Sequence, residues 1–213
     1  MSITITGVTS ENTIQTIKSY HLNSIGFDLR PKSFNFIQEH KIKSILTQFK
    51  GLNVSLLFEN DKDFVINHFY QDLKSLSHQF YVEFTGQEKV AELEKLNIPY
   101  FWHYHSEEKI SSLASTKNLK KIILTHSVLR EFQQTGELFG FLQLFADINS
   151  KIKFELLLDW DTEIMLSMFE YFEFHGIQFE INSKVERSYQ NVNQTLLSDQ
   201  LSYYLHLFKK EEE

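Results

Sequence analysis

Val54-Ser55-Leu56-Leu57-Phe58, then Asp61, then Val65, Ile66, Phe69, Tyr70 and Leu73: this stretch reads as one strand followed by one helix. The apolar run is short enough for a strand buried on both faces. The later apolar positions recur every three to four residues, which is the spacing of one helix face. Asp61 stands where a helix N-cap belongs. The same unit repeats outward in both directions. A strand at 2–8 precedes a helix capped by Ser10 with Ile14 and Ile17 inward, and Ser24 to Leu29 precedes Ile42, Ile45 and Leu46. Phe80 to Phe84 precedes Val90, Leu93 and Leu96; Tyr100 to Tyr104 precedes Ile110 and Leu113; Ile122 to Leu124 precedes Leu138 to Phe145. Phe154 to Leu158 precedes Ile164, Leu166 and Phe169, and Ile177 to Ile181 precedes Leu197, Leu201, Leu205 and Phe208. Eight strand–helix units in 213 residues allow about 27 residues each. Alternating strands and helices imply parallel crossovers. Eight of them closing on themselves make a (β/α)8 barrel, near the lower length limit of about 200 residues. A doubly wound open sheet is the alternative that the pattern leaves open. The barrel is expected over 1–208, with Lys209-Lys210-Glu211-Glu212-Glu213 as a solvated tail.

Composition narrows the function classes. Seven Gly and two Pro fall well short of the roughly 15 and 11 that average usage gives, which disfavours a sandwich built on tight turns. Twenty Phe make the core heavily aromatic. A net charge of −7, with no basic cluster denser than Lys117, Lys120 and Lys121, disfavours electrostatic capture of nucleic acid. The absence of cysteine excludes disulfides, thiolate nucleophiles and Cys-based metal sites. No apolar run approaches the roughly 18 residues of a membrane span. The first residues alternate like a strand, without the charged-then-apolar shape of a signal peptide. The expectation is a cytoplasmic chain, monomer or homodimer, with no cofactor, no nucleic acid and no membrane partner, taking a small molecule at the C-terminal face of the barrel.

Ile3-Thr4-Ile5-Thr6-Gly7-Val8-Thr9, followed by Ile25-Gly26-Phe27 and Arg30-Pro31-Lys32-Ser33, resembles the start of the phosphoribosylanthranilate isomerase family. That family opens with a strand ending in Cys-Gly-Ile/Val-Thr and continues about twenty residues later with Gly-Phe and Pro-Lys-Ser. Ser183-Lys184-Val185-Glu186 is similar to its Ser-Gly-Val-Glu, and Gly86 loosely fits its His-Gly-Glu turn. The resemblance implies a (β/α)8 barrel and an Amadori rearrangement, in which a general acid protonates the ribose ring oxygen and a general base removes the C2′ proton.

Measured against that pattern, the proton-transfer groups are gone. The family's base is the Cys ending the first strand, and Thr6 stands there. A thiol, with an ordinary pKa of about 8.5, can be tuned into range, whereas a threonine hydroxyl stays protonated near neutral pH. The family's acid is an Asp ending the sixth strand, where this chain has Thr125, and the family's arginine shortly after the Pro-Lys-Ser turn is replaced by Asn35. The phosphate loops after strands seven and eight need glycine for close backbone approach. Here they carry Asp159-Trp160-Asp161 and, after Gly176, no glycine at all.

Other residues could still carry chemistry at the C-terminal face. Alternation from Thr6 and Thr125 assigns Asp28, Glu83, Thr85, His103, His105, Glu180 and Asn182 to the barrel interior, with Lys32, His126 and Asp159 in the loops nearby; Arg30, Lys32, Asp159, Asn182 and Ser183 are the ligand-binding candidates. Asp28, Glu83 and Glu180 could supply a carboxylate acid/base pair, with His103 and His105 as further candidates; equally, the carboxylates would be solvated or salt-bridged near Arg30, Lys32 and Lys184. His103, His105 and His126 would suit Zn²⁺ if they converged; equally, they would serve as polar lining without a metal. The Phe/Tyr stripe at Phe169, Tyr171, Phe172 and Phe174 reads as core packing.

Overall fold

The computed structural model describes residues 2–105, 110–113, 115–146, 151–160 and 172–209. Eight parallel strands close into a barrel in chain order: β1 (Ser2–Thr6), β2 (Ser24–Asp28), β3 (Asn53–Phe58), β4 (Gln79–Phe84), β5 (Tyr100–His103), β6 (Leu119–Thr125), β7 (Lys153–Leu158) and β8 (Gly176–Glu180). The seam joins β1 to β8, from Ser2 opposite Gly176 to Thr6 opposite Glu180. Closure leaves no sheet edge. Helices α1 (Glu11–Ser19), α2 (Glu39–Leu46), α3 (Asp63–Leu73), α4 (Val90–Leu93), α5 (Ile110–Leu113), α6 (His126–Thr135), α7 (Leu138–Ala146) and α8 (Gln194–Lys209) follow the strands. A short hairpin, β9 (Glu186–Ser188) with β10 (Asn191–Val192), precedes α8.

Strand residues alternate between two environments. One set, including Ile3, Ile5, Ile25, Phe27, Val54, Leu56, Phe58, Val82, Phe84, Trp102 and Phe179, joins Ile14, Ile17, Ile42 and Leu46 of the helices in a continuous apolar layer. The other set faces the barrel axis. A Cβ added at Gly26 would strike Thr6 Cγ2 at 2.6 Å and Ser55 Oγ at 2.7 Å, so those side chains share the interior with Gly26. Barrel interiors are usually filled by Val, Ile and Leu. This one buries Thr4, Thr6, Asp28, Ser55, Glu83, Lys121, Glu155 and Gln178. That polar axis positions every group considered below.

The expected elements differ from the observed ones at their ends. Ser10 caps α1 as expected, its hydroxyl accepting from Thr13 N at 3.3 Å. Asp61 does not cap α3: its carboxylate accepts from Glu59 N inside the preceding loop, and Lys62 takes the cap position. β5 stops at His103, so Tyr104 and His105 leave the sheet. Between β6 and the apolar α7 lies a further helix, α6, which the sequence pattern did not separate. Phe172 and Phe174 are buried, as the core-packing expectation had it. The helix expected through Ile164, Leu166 and Phe169, together with Asp161, Tyr171 and tail residues 210–213, lies outside the described residues.

Candidate functional site

The C-terminal mouth is organised around Asp28, at the end of β2. Its fully buried carboxylate accepts from Arg30 N at 3.0 Å, from Arg30 Nε at 2.9 Å, and from Ser33 Oγ. Arg30 then reaches across the opening. Its Nη1 donates to Thr85 Oγ1 at 3.1 Å beyond β4, and its Nη2 donates to Glu180 Oε1 at 3.4 Å on β8. Three widely separated strand ends are thereby tied by one guanidinium. Burial works against the Arg30 charge, but the hydrogen bond and field of Asp28 outweigh it and keep the side chain firmly protonated. This is the geometry of an internal ion-pair strap, and it commits Arg30, a candidate ligand-binding residue, to the protein itself.

Deeper in the barrel, Glu83 Oε1 lies 2.8 Å from His103 Nε2 and accepts from Gln178 Nε2 at 2.7 Å. Burial alone would push the Glu83 carboxyl up, yet the bonds from His103 and Gln178 hold it below the usual carboxylate range. Glu180 shows the opposite balance. Burial, reinforced by Asp28 and Glu83, raises its carboxyl above the usual value despite the nearby Arg30.

At the ends of β7 and β8, where the resemblance expects a phosphate, the described charged groups are paired with one another. Asp159 accepts from Lys184 Nζ at 2.6 Å and from Asn182 Nδ2 at 3.0 Å. Those donors, with the backbone amide of Trp160, outweigh partial burial and keep the carboxyl low. The Trp160 indole donates to Glu180 O at 2.7 Å and stacks on Phe179 at 4.6 Å. Ser183 and Lys32 stand exposed in their loops. Gly7, at φ +73°, passes under Asn35, whose amide donates to Ile181 O at 2.6 Å; a side chain at position 7 would collide with that amide.

Thr6 and Thr125 are both spent on backbone. Thr6 Oγ1 is directed at Phe179 O at 3.4 Å, and Thr125 Oγ1 caps α6 by accepting from Val128 N at 3.3 Å. What remains open is a recess of about 400 Å³ at the ends of β6, β7 and β8, lined by Thr125, His126, Asp159, Glu180 and Asn182 among others.

The three histidines do not converge. His103 turns inward to Glu83, while His105, past the end of β5, lies edge-on to Trp102 with Nε2 3.5 Å from Glu88 O. His126 belongs to the recess at the start of α6. Ending β5 at His103 breaks the alternation that would have put both histidines on one face. Among the described residues, donors close enough to share a metal occur elsewhere, at Glu39, His68 and Asp72 on α2 and α3. There the Lys43 ammonium already sits 2.8 Å from Glu39 and 3.0 Å from Asp72.

The expectation of salt bridges to Arg30, Lys32 or Lys184 holds for Asp28 and Glu180, which both meet Arg30, but not for Glu83, whose partners are His103 and Gln178. Sequence reasoning missed Gln178 altogether, although Gln178 alternates with Glu180 and could have been found from that.

Fold and mouth together define a closed (β/α)8 barrel with its titratable groups gathered at the strand C-termini. Solved structures it resembles include phosphoribosylanthranilate isomerases. The Thermus thermophilus enzyme aligns with a TM-score of 0.69 at 12% identity, over 97% of this chain and 100% of that one. A phosphoribosylanthranilate isomerase solved in complex with reduced 1-(o-carboxyphenylamino)-1-deoxyribulose 5-phosphate aligns at 0.70 and 14%, over 95% and 97%. The Pyrococcus furiosus enzyme aligns at 0.63 and 15%. No family model matches the chain, and no curated protein matches it in sequence. At these identities the likeness establishes the fold, in agreement with the resemblance carried by Ile3–Thr9 and Gly26–Ser33. No helix among the described residues is long and apolar enough to cross a membrane.

Proposed function

We propose that this chain is a divergent barrel of the phosphoribosylanthranilate isomerase lineage that no longer performs the isomerisation and acts as a non-catalytic, small-molecule-binding barrel. The observation that carries the reading is the pair Thr6 and Thr125. The two strand ends where the family keeps its base and acid hold hydroxyls already committed to Phe179 O and to the α6 N-terminus. Each missing proton-transfer group typically costs about 10²–10⁴-fold in rate. The phosphate corner adds to that. Substrate anchoring supplies binding energy that positions the reacting ribose, and Asp159 takes up Lys184, the cation that a phosphate would need there.

Expression of the wild-type chain in a tryptophan auxotroph lacking the isomerase should give no growth without tryptophan. Growth at ordinary expression levels would mean that rearranged residues sustain the reaction and would overturn the reading.

One observation favours a second reading, a different small-molecule enzyme. Glu180 is a carboxyl with a raised pKa that lines an open recess beside His126, the environment in which acid/base catalysts are found. Glu83 and His103 would then serve to fix the wall of the recess, and a proton-transfer activity abolished by Glu180→Gln would identify it.

A further inference from the structure

The opposite end of the barrel carries a cavity that the isomerase reading does not use. It occupies about 360 Å³ at the strand N-termini, and four lysines and a single carboxylate line it. Its two halves differ. On β1 to β4, Thr4, Ser24, Asn53 and Gln79 are register partners in one row, a continuous arc of neutral hydroxyl and amide groups. On β6 and β7, Lys121 is the register partner of Lys153, and Lys120 and Lys151 flank them. Between the halves, Tyr81 and Phe101 stack at 4.5 Å.

The floor is electrically balanced. Lys121 Nζ lies 2.5 Å from Glu155 Oε1 and 4.3 Å from the centre of the Phe101 ring. Glu155 also accepts from Ser2 and Thr4, each at 3.3 Å. Gly176 makes this closeness possible: a Cβ there would meet Ser2 O at 2.7 Å and Glu155 Oε1 at 2.9 Å. Glu155 is offset by Lys121, and exposed Lys120, Lys151 and Lys153 complete a lining in which lysines outnumber carboxylates four to one, with the Lys120 ammonium donating to Lys117 O. This positive rim belongs to a chain of net charge −7, so it is a local field against the overall one.

We infer that the N-terminal mouth is a binding site for a small hydroxylated anion, of the sugar-phosphate or sugar-acid class. The lysine side takes the anionic group, the Ser/Thr/Asn/Gln arc exchanges hydrogen bonds with hydroxyls, and the Tyr81–Phe101 wall accepts the apolar face of the carbon chain. A cavity of this size falls within the usual range for small ligands. The site stands apart from the reading of the C-terminal mouth and survives if that reading fails.

The test titrates the full chain with ribose 5-phosphate, gluconate and uncharged ribose, followed by calorimetry and by amide chemical shifts. Ribose 5-phosphate or gluconate should bind saturably, and the stronger of the two reports whether phosphate or carboxylate is preferred. Ribose should bind at least about tenfold more weakly, since one lost close charge pair is worth that much. Shifts should concentrate at Ser24 and Asn53 rather than at Asn182. Lys151→Glu/Lys153→Glu, both exposed and with folding checked by circular dichroism, should weaken the anion at least about tenfold, while Lys62→Glu, the same charge change at an exposed residue lining neither mouth, should leave it unchanged. No saturable binding of either anion, shifts confined to the Asn182 end, or unaltered affinity in the double variant would each overturn the inference.

Discussion

At the C-terminal mouth Arg30 is tied to Asp28, Thr85 and Glu180, and Lys184 is tied to Asp159. At the N-terminal mouth Lys120, Lys151 and Lys153 stand exposed around a cavity whose one carboxylate, Glu155, already holds Lys121. The fold normally assigns binding to the first end and structural support to the second. Here the usual site has its charged groups turned toward each other, and the supporting end gathers four lysines around one carboxylate. A shared barrel therefore does not carry its site with it; the pairing of particular side chains decides which end can receive a ligand.

The comparison can be broken most severely at its two buried ion pairs. Arg30→Met leaves Asp28 fully buried with only Ser33 and a backbone amide, and should cost about 3 kcal/mol in chemical denaturation. A loss under about 1 kcal/mol would show that the strap does not hold the mouth. At the other end Lys121→Met should cost a similar amount, about 3 kcal/mol, by stranding Glu155. The paired change Lys121→Met/Glu155→Leu should recover most of that loss, because neither charge is then left alone. Failure to recover would place the worth of Lys121 outside the pair.

Titration sharpens the contrast within the C-terminal mouth. The Glu83 carboxyl is lower in the folded chain than its ordinary value of 4.5, so its ionised form is favoured by folding. Its contribution is complete above that ordinary value and disappears as pH falls through the lower folded value. Glu83→Gln should therefore cost about 1–2 kcal/mol at pH 7, with the gap to wild type closing below about pH 4. A gap independent of pH would mean that shape, not charge, is what Glu83 supplies. Glu180 has the reverse sign. Its raised carboxyl favours the folded state when protonated, and that contribution is lost as pH rises through the folded value. Glu180→Gln should slightly stabilise the protein at pH 7 and not at pH 4; destabilisation at pH 7 would show that its link to Arg30 dominates.

The barrel was readable because strand and helix periods alternate eight times, most clearly from Val54 to Leu73. Near neighbours on a strand were readable too, so Asp28, Glu83, His103 and Glu180 were assigned correctly to the interior of the C-terminal end. What could not be read was whatever depends on where a strand stops. A single residue separates His103 inside the barrel from a His105 that has left the sheet. Inter-strand register was equally hidden. Lys120 and Lys121 stood out as a basic pair, but nothing local to them indicates that Lys153 pairs beside Lys121 or that Glu155 neutralises it. The long reach of Arg30 to Glu180, 150 positions away, is a property of the closed ring alone.

The proposed loss of isomerisation is tested most directly by adding phosphoribosylanthranilate to the purified protein and following its conversion, in wild type and in Thr6→Cys/Thr125→Asp. On that proposal the wild type lacks both proton-transfer groups, and the double variant regains them while Asp159 still holds Lys184 at the proposed phosphate corner. Neither protein is expected to turn the substrate over detectably. Saturable turnover by the wild type would contradict the account outright, and turnover appearing only in the double variant would show that the phosphate corner is still able to bind.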